Sequence, residues 1–143
     1  MNETNGTNNA LQDTKLDVKI KLAGLWAATM MCYVYGDYFE LYVPGKLSSM
    51  LEGKMGPLGP VTQGVLLGTA LMMAVQCLMV YLSLVMKPTL NRWVNMVLGL
   101  VCAAIVALVI TQSGWVFYQM LGGVEIVLLL GVVWQAWNWP RRQ

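Results

Sequence analysis

The chain has 143 residues, 57% of them apolar and only 11% charged, with nine Lys and Arg against seven Asp and Glu. A water-facing surface normally carries about 25% charged residues, so an ordinary soluble domain is excluded, and a scattered net charge of +2 leaves no footprint for nucleic acid. Histidine is absent and Cys32, Cys77 and Cys102 form no C-x-x-C pair, which removes His-ligated haem and zinc, Ser-His and Cys-His catalysis and thiol oxidoreductase chemistry; no cofactor and no metal centre is expected.

Residues 1–13 are rich in Asn and Thr without apolar periodicity and read as a disordered cytoplasmic tail, with N-x-T sequons at Asn2 and Asn5. Thr14-Lys15-Leu16-Asp17 fits a capping box. A helix from there through Val43 would be roughly 45 Å long at 1.5 Å per residue. The hydrocarbon core is only ~30 Å thick, so Lys15, Lys19 and Lys21 should project into water. The first span then covers about 22–42 and ends at Pro44-Gly45. A polar connector follows, closing on the breaker cluster Gly56-Pro57-Leu58-Gly59-Pro60. Further spans are predicted at about 61–86, 90–110 and 115–137, with Lys87-Pro88 and Thr111-Gln112-Ser113-Gly114 as turns. Trp139-Pro140-Arg141-Arg142 reads as an interfacial anchor leading into a short basic cytoplasmic tail at 140–143.

The expected fold class is therefore all-α, an integral membrane four-helix transmembrane bundle over residues 14–139. With an even number of crossings, Lys15, Lys19, Lys21, Lys87, Arg92, Arg141 and Arg142 fall on one side and only Lys46 and Lys54 on the other. The positive-inside rule then places both termini in the cytoplasm. Lipid provides no hydrophobic drive between helices, so close packing relies on small residues. Gly64-x-x-x-Gly68, Gly99-x-x-x-Ala103, Gly24-x-x-x-Ala28 and Gly122-Gly123 supply them, chiefly for packing within one subunit.

Two carboxylic acids interrupt the apolar segments. An ionised side chain at mid-bilayer costs about 2.5–3.5 kcal/mol on insertion scales, so such residues face the bundle interior, pair, or serve a function. Trp26, Met30, Tyr33, Asp37 and Glu40 recur at spacings of three and four and share one helix face. Tyr118, Gly122, Glu125 and Leu129 do the same in the last span. Counted at 1.5 Å per residue, Asp37 lies about 24 Å beyond Lys21 and Glu125 about 15 Å below Trp115. The predicted ion- or substrate-binding cluster is Tyr33, Asp37, Tyr118 and Glu125, with Gln119 beside it and Glu40 one turn nearer the outer interface. Gln76 and Asn95 should lie closer to the cytoplasmic side. No lysine or arginine lies deep enough to neutralise Glu125, which is expected to sit neutral unless a cation binds. Tyr35, Tyr38, Tyr42, Trp115, Trp134, Trp137 and Trp139 read as an aromatic belt, and Met72-Met73 as flexible filler. Asn91 and Asn95 stack on one helical face, and Arg92 with Lys87 could hold an anionic lipid headgroup.

Lys21-Leu22-Ala23-Gly24-Leu25-Trp26, Tyr33-Val34-Tyr35-Gly36-Asp37, Asn91-Arg92-Trp93-Val94-Asn95 and Gly123-Val124-Glu125-Ile126 running to Trp134-Gln135-Ala136-Trp137 together resemble the domain-of-unknown-function 6326 family of small bacterial four-span membrane proteins. The resemblance covers roughly residues 19–139 and implies a fold and a bacterial cytoplasmic membrane location, without an activity. Asp37, Asn91, Arg92, Trp93, Asn95 and Glu125 match its pattern, whereas the acidic residue and proline of relatives near 74–76 have no counterpart in Ala74-Val75-Gln76.

On these residues the leading reading is a small transport or permeation protein taking a proton, cation or small cationic substrate at Asp37 and Glu125. Four such helices rarely enclose a pathway alone, so this reading predicts a homo-oligomer in contact with membrane lipids. A non-catalytic lipid- or partner-binding subunit is the alternative. A membrane enzyme using the two acids on a lipid-soluble substrate ranks last.

Overall fold

The structure is a computed structural model in which residues 15–140 are described. The expected tail at 1–13 and the basic pair Arg141-Arg142 lie outside the described residues. Helix α1 spans Val18–Glu40. Asp17, rather than Thr14, is its N-cap: the carboxylate accepts from the Lys19 backbone N–H at 2.7 Å, satisfying one of the amides that a helix start leaves without an intrahelical partner. Its far end stops three residues short of Val43. The backbone N–H groups of Leu41, Tyr42 and Val43 each donate to the carbonyl three residues back, tightening the chain before Pro44 and the left-handed Gly45 (φ +81°), a conformation glycine adopts without Cβ strain.

The polar connector is ordered. It holds the six-residue helix α2 (Lys46–Leu51) and a 3-10 turn at Gly56–Leu58. Hydrogen bonds of 2.7 Å from Met55 N–H to the Gly59 carbonyl and from Val61 N–H to the Gly53 carbonyl close it into a loop. Thr62 then caps α3 (Gln63–Val85), accepting from the Val65 N–H at 3.2 Å. Pro88 opens α4 (Pro88–Gln112), where a missing N–H costs nothing. After Ser113-Gly114, α5 runs Val116–Trp137.

These observations correct the expected four-helix transmembrane bundle. The described residues form five α-helices, of which three, α3, α4 and α5, are long and apolar enough to cross a membrane. Helix α1 has the length, 23 residues. It falls short in hydropathy because Lys19 and Lys21 occupy its first turns, Asp37 and Glu40 its last, and Trp26, Thr29, Tyr33 and Tyr35 lie between. With three such helices, the even count behind the two-termini orientation no longer holds.

Helix α1 packs on α3 and α5, and α5 packs on α1 and α4, whereas α3 and α4 meet each other only slightly. The four long helices thus form an arc with a parting between its two ends. The α4–α5 seam uses its small residues for close approach. A Cβ at Gly122 would collide with Ile110, and one at Gly99 would lie 2.9 Å from Val133 Cγ2. Gly68 and Gly24, by contrast, face open space, so the Gly64-x-x-x-Gly68 motif is not spent inside the subunit. Leu22, Trp26, Met79, Leu129, Val132 and Ala136 form the most deeply buried part of the core.

Candidate functional site

One end of the arc is basic and closed. Lys19, expected in water, reaches across to donate from Nζ to the Leu84 and Met86 carbonyls at 3.1 and 2.8 Å. It thereby satisfies carbonyls that the end of α3 leaves free. Beneath it lies a fully buried polar network joining three helices. Trp26 Nε1 donates to Asn95 Oδ1 at 2.7 Å, and Asn95 Nδ2 donates to the Asn91 side-chain and backbone oxygens at 2.6 and 2.8 Å. Asn91 Nδ2 donates to the Ser83 carbonyl at 2.6 Å, and the Ser83 hydroxyl is 3.4 Å from Asn95 Oδ1. The i, i+4 spacing of the two asparagines makes the first link, and the α3–α4 turn brings Ser83 onto them. Arg92 places its guanidinium 5.9 Å from the Trp137 ring centroid, with Nε buried and unpartnered, and Lys87 is exposed at the N-cap of α4. The two residues expected to hold a headgroup therefore flank this end.

The other end contains a cleft of about 100 Å³ between α1, α3, α4 and α5. Four of the six residues read from sequence as an ion- or substrate-binding cluster line it: Tyr33 and Asp37 from α1, Tyr118 and Glu125 from α5. Met72 and Met73 of α3 form the facing wall, and Ile105, Val106, Val109 and Ile110 of α4 the side. Glycine allows this convergence. Gly36 sits under Tyr118 and Leu121, and Gly122 lets α4 approach α5 one turn from Glu125. Glu125 is 5% exposed, and no side-chain hydrogen bond among the described residues reaches it. Asp37 is exposed, at the rim.

Glu40 and Gln119 are placed elsewhere. Glu40 accepts from Lys46 Nζ at 2.6 Å in a half-buried ion pair, tying the end of α1 to the start of α2. Gln119 is exposed and donates from Nε2 to the Ser113 carbonyl at 2.8 Å, bracing the α4–α5 turn. The other ion pair among the described residues, Lys54–Glu52, is exposed, so neither acid of the cleft forms an ion pair among them.

Sequence reading missed two contributors. Met72 and Met73 read as filler because thioethers carry no distinctive chemistry. Gln76, expected nearer the basic end, lies one turn along α3 from Met72 and beside Tyr33 at 1% exposure, and is not part of the cleft lining. Among the described residues no group of three or more Cys, Asp and Glu is arranged to hold a metal ion. The site is an apolar cleft with a buried acid inside and a second acid at its mouth.

Residues 13–143 match the family of unknown function DUF6326. No curated protein and no solved structure matches the chain.

Proposed function

The chain belongs to the DUF6326 family, and we propose that this multi-pass membrane protein is a small transporter in which Glu125, with Asp37, binds a proton, a cation or a small cationic substrate. One observation carries the reading: Glu125 is 95% buried in the wall of a cleft with no cation beside it. An interhelical link would be served as well by Gln, since such contacts average about 0.6 kcal/mol in membrane bundles. An acid adds what Gln lacks, a negative charge that can be neutralised by a proton or by a bound cation.

The arrangement around the site fits this use. The core of Met79, Leu129 and Val132 and the Trp26–Asn95 network close the bundle toward the basic end, while the cleft opens away from it. A binding site reached from one side and sealed from the other is what alternating access requires of each of its states. Lys19, Lys21, Lys87 and Arg92 lie at the sealed end, whereas Lys46 and Lys54 at the other are paired with Glu40 and Glu52. On the positive-inside rule the sealed end faces the cytoplasm. The parting between α3 and α4 leaves one subunit without an enclosed path, so the transporting unit is a homo-oligomer, with the open Gly68 face of α3 available for its contacts.

Proteoliposomes test this directly. Proton or monovalent-cation flux is expected with the natural chain and is expected to fall to the level of empty vesicles in Glu125→Gln. Unaltered flux in that variant would dismiss the reading. It would favour instead a lipid- or partner-binding subunit working through Lys87 and Arg92, whose exposed ammonium and ring-stacked guanidinium flank the sealed end.

A further inference from the structure

The lining of the cleft narrows the cation. We propose that the site takes an amphiphilic organic monocation, its compact ammonium head held by Glu125 and its apolar body lying along Met72, Met73, Ile105 and Val109. The proposal rests on the transport reading and names the substrate class of the same site.

Oxygen supply decides against a bare inorganic ion. Calcium takes six to eight oxygen ligands and magnesium a near-ideal octahedron. Here two carboxyls and two phenols are the polar side chains lining the cleft, and the rest of its wall is chiefly hydrocarbon and thioether. No cluster of three or more acidic or thiol groups is present among the described residues to replace a shed hydration shell. An alkylammonium is already poorly hydrated over its methyl groups, and it gains from the surfaces the cleft offers. The buried carboxylate supplies opposite charge, the Tyr33 and Tyr118 rings supply electron-rich aromatic faces, and the methionines supply a deformable apolar wall.

Size points the same way. A volume of about 100 Å³ suits a head of a few heavy atoms, whereas pockets for whole drug-sized ligands run to about 300–1,000 Å³. The remainder of the substrate must therefore leave through the open side, past α3 and α4, where the surroundings are apolar. A long hydrocarbon body meets that requirement and a hydrophilic one does not.

Hexyltrimethylammonium is the probe, titrated calorimetrically into the full chain held in lipid nanodiscs, with empty nanodiscs as the blank. Saturable binding is expected, weakened at least about tenfold in Glu125→Gln and similarly in Met72→Trp, which fills the cleft without touching its charge. Hexanesulfonate, with the same chain and opposite charge, should show partition only. Uptake of the ammonium equal to that of empty nanodiscs, or binding unchanged by both substitutions, overturns the proposal. Glu125-dependent flux of protons or sodium without ammonium binding overturns this substrate class while leaving the transport reading standing; absence of both removes the two together.

Discussion

The two halves of the molecule treat buried polarity in opposite ways. At the basic end Trp26, Ser83, Asn91 and Asn95 are all fully buried and are joined by bonds of 2.6–3.4 Å. At the cleft Glu125 is almost as deeply buried and makes no side-chain hydrogen bond among the described residues. A satisfied network fixes one arrangement of helices, whereas an unsatisfied acid destabilises the ligand-free state and is relieved by whatever binds there. The first half is a clamp and the second a site. Both are polar, so composition does not separate them; the partnering of Asn95 against that of Glu125 does, although Arg92 Nε at the basic end is also buried without a partner.

Identical replacements in the two halves should therefore differ in sign. Asn95→Leu removes the acceptor of the Trp26 N–H and the donor to Asn91, leaving buried polar atoms unpaired; unfolding in mixed micelles should show a loss of about 2–3 kcal/mol. Ligand affinity, measured on the fraction that remains folded, should stay unchanged. Glu125→Leu removes an unpartnered buried acid, and the same assay should show a gain of about 1 kcal/mol together with loss of flux. A destabilised Glu125→Leu would mean that the acid is part of the clamp after all. The smallest effect is expected at the rim, where Lys46→Met breaks the half-buried pair with Glu40 for about 0.5 kcal/mol. That pair ties α1 to α2 and neither residue lines the cleft, so flux should be retained.

The four long helices and most of their boundaries were legible because apolar periodicity, Pro44, Lys87-Pro88 and Thr111 to Gly114 punctuate the chain plainly, whereas the short α2 in the connector was not. The number of lipid-crossing helices was not. Length alone admitted α1, while its lysines, acids and aromatics lower its hydropathy below that of the other three. Facing residues within one helix were legible from three- and four-residue spacing, which is why Tyr33 with Asp37 and Tyr118 with Glu125 could be grouped. Depth counting then brought Tyr33 and Glu125 to nearly one level. What spacing cannot encode is the rotation of one helix against another. That rotation brings Gln76 beside Tyr33 and Trp26 against Asn95, contacts between segments far apart in the chain. The bonds of Gln119 to the Ser113 carbonyl and of Lys46 to Glu40, each spanning six residues, depend instead on how the chain folds at the α4–α5 turn and in the connector.

Reaction of the folded protein with a hydrophobic carbodiimide, followed by mass-spectrometric mapping, asks most directly whether Glu125 belongs to a cleft or to a sealed core. The account predicts that Glu125 is labelled in the native bundle and that hexyltrimethylammonium slows the labelling. A Glu125 that stays unmodified until the protein is unfolded would contradict it.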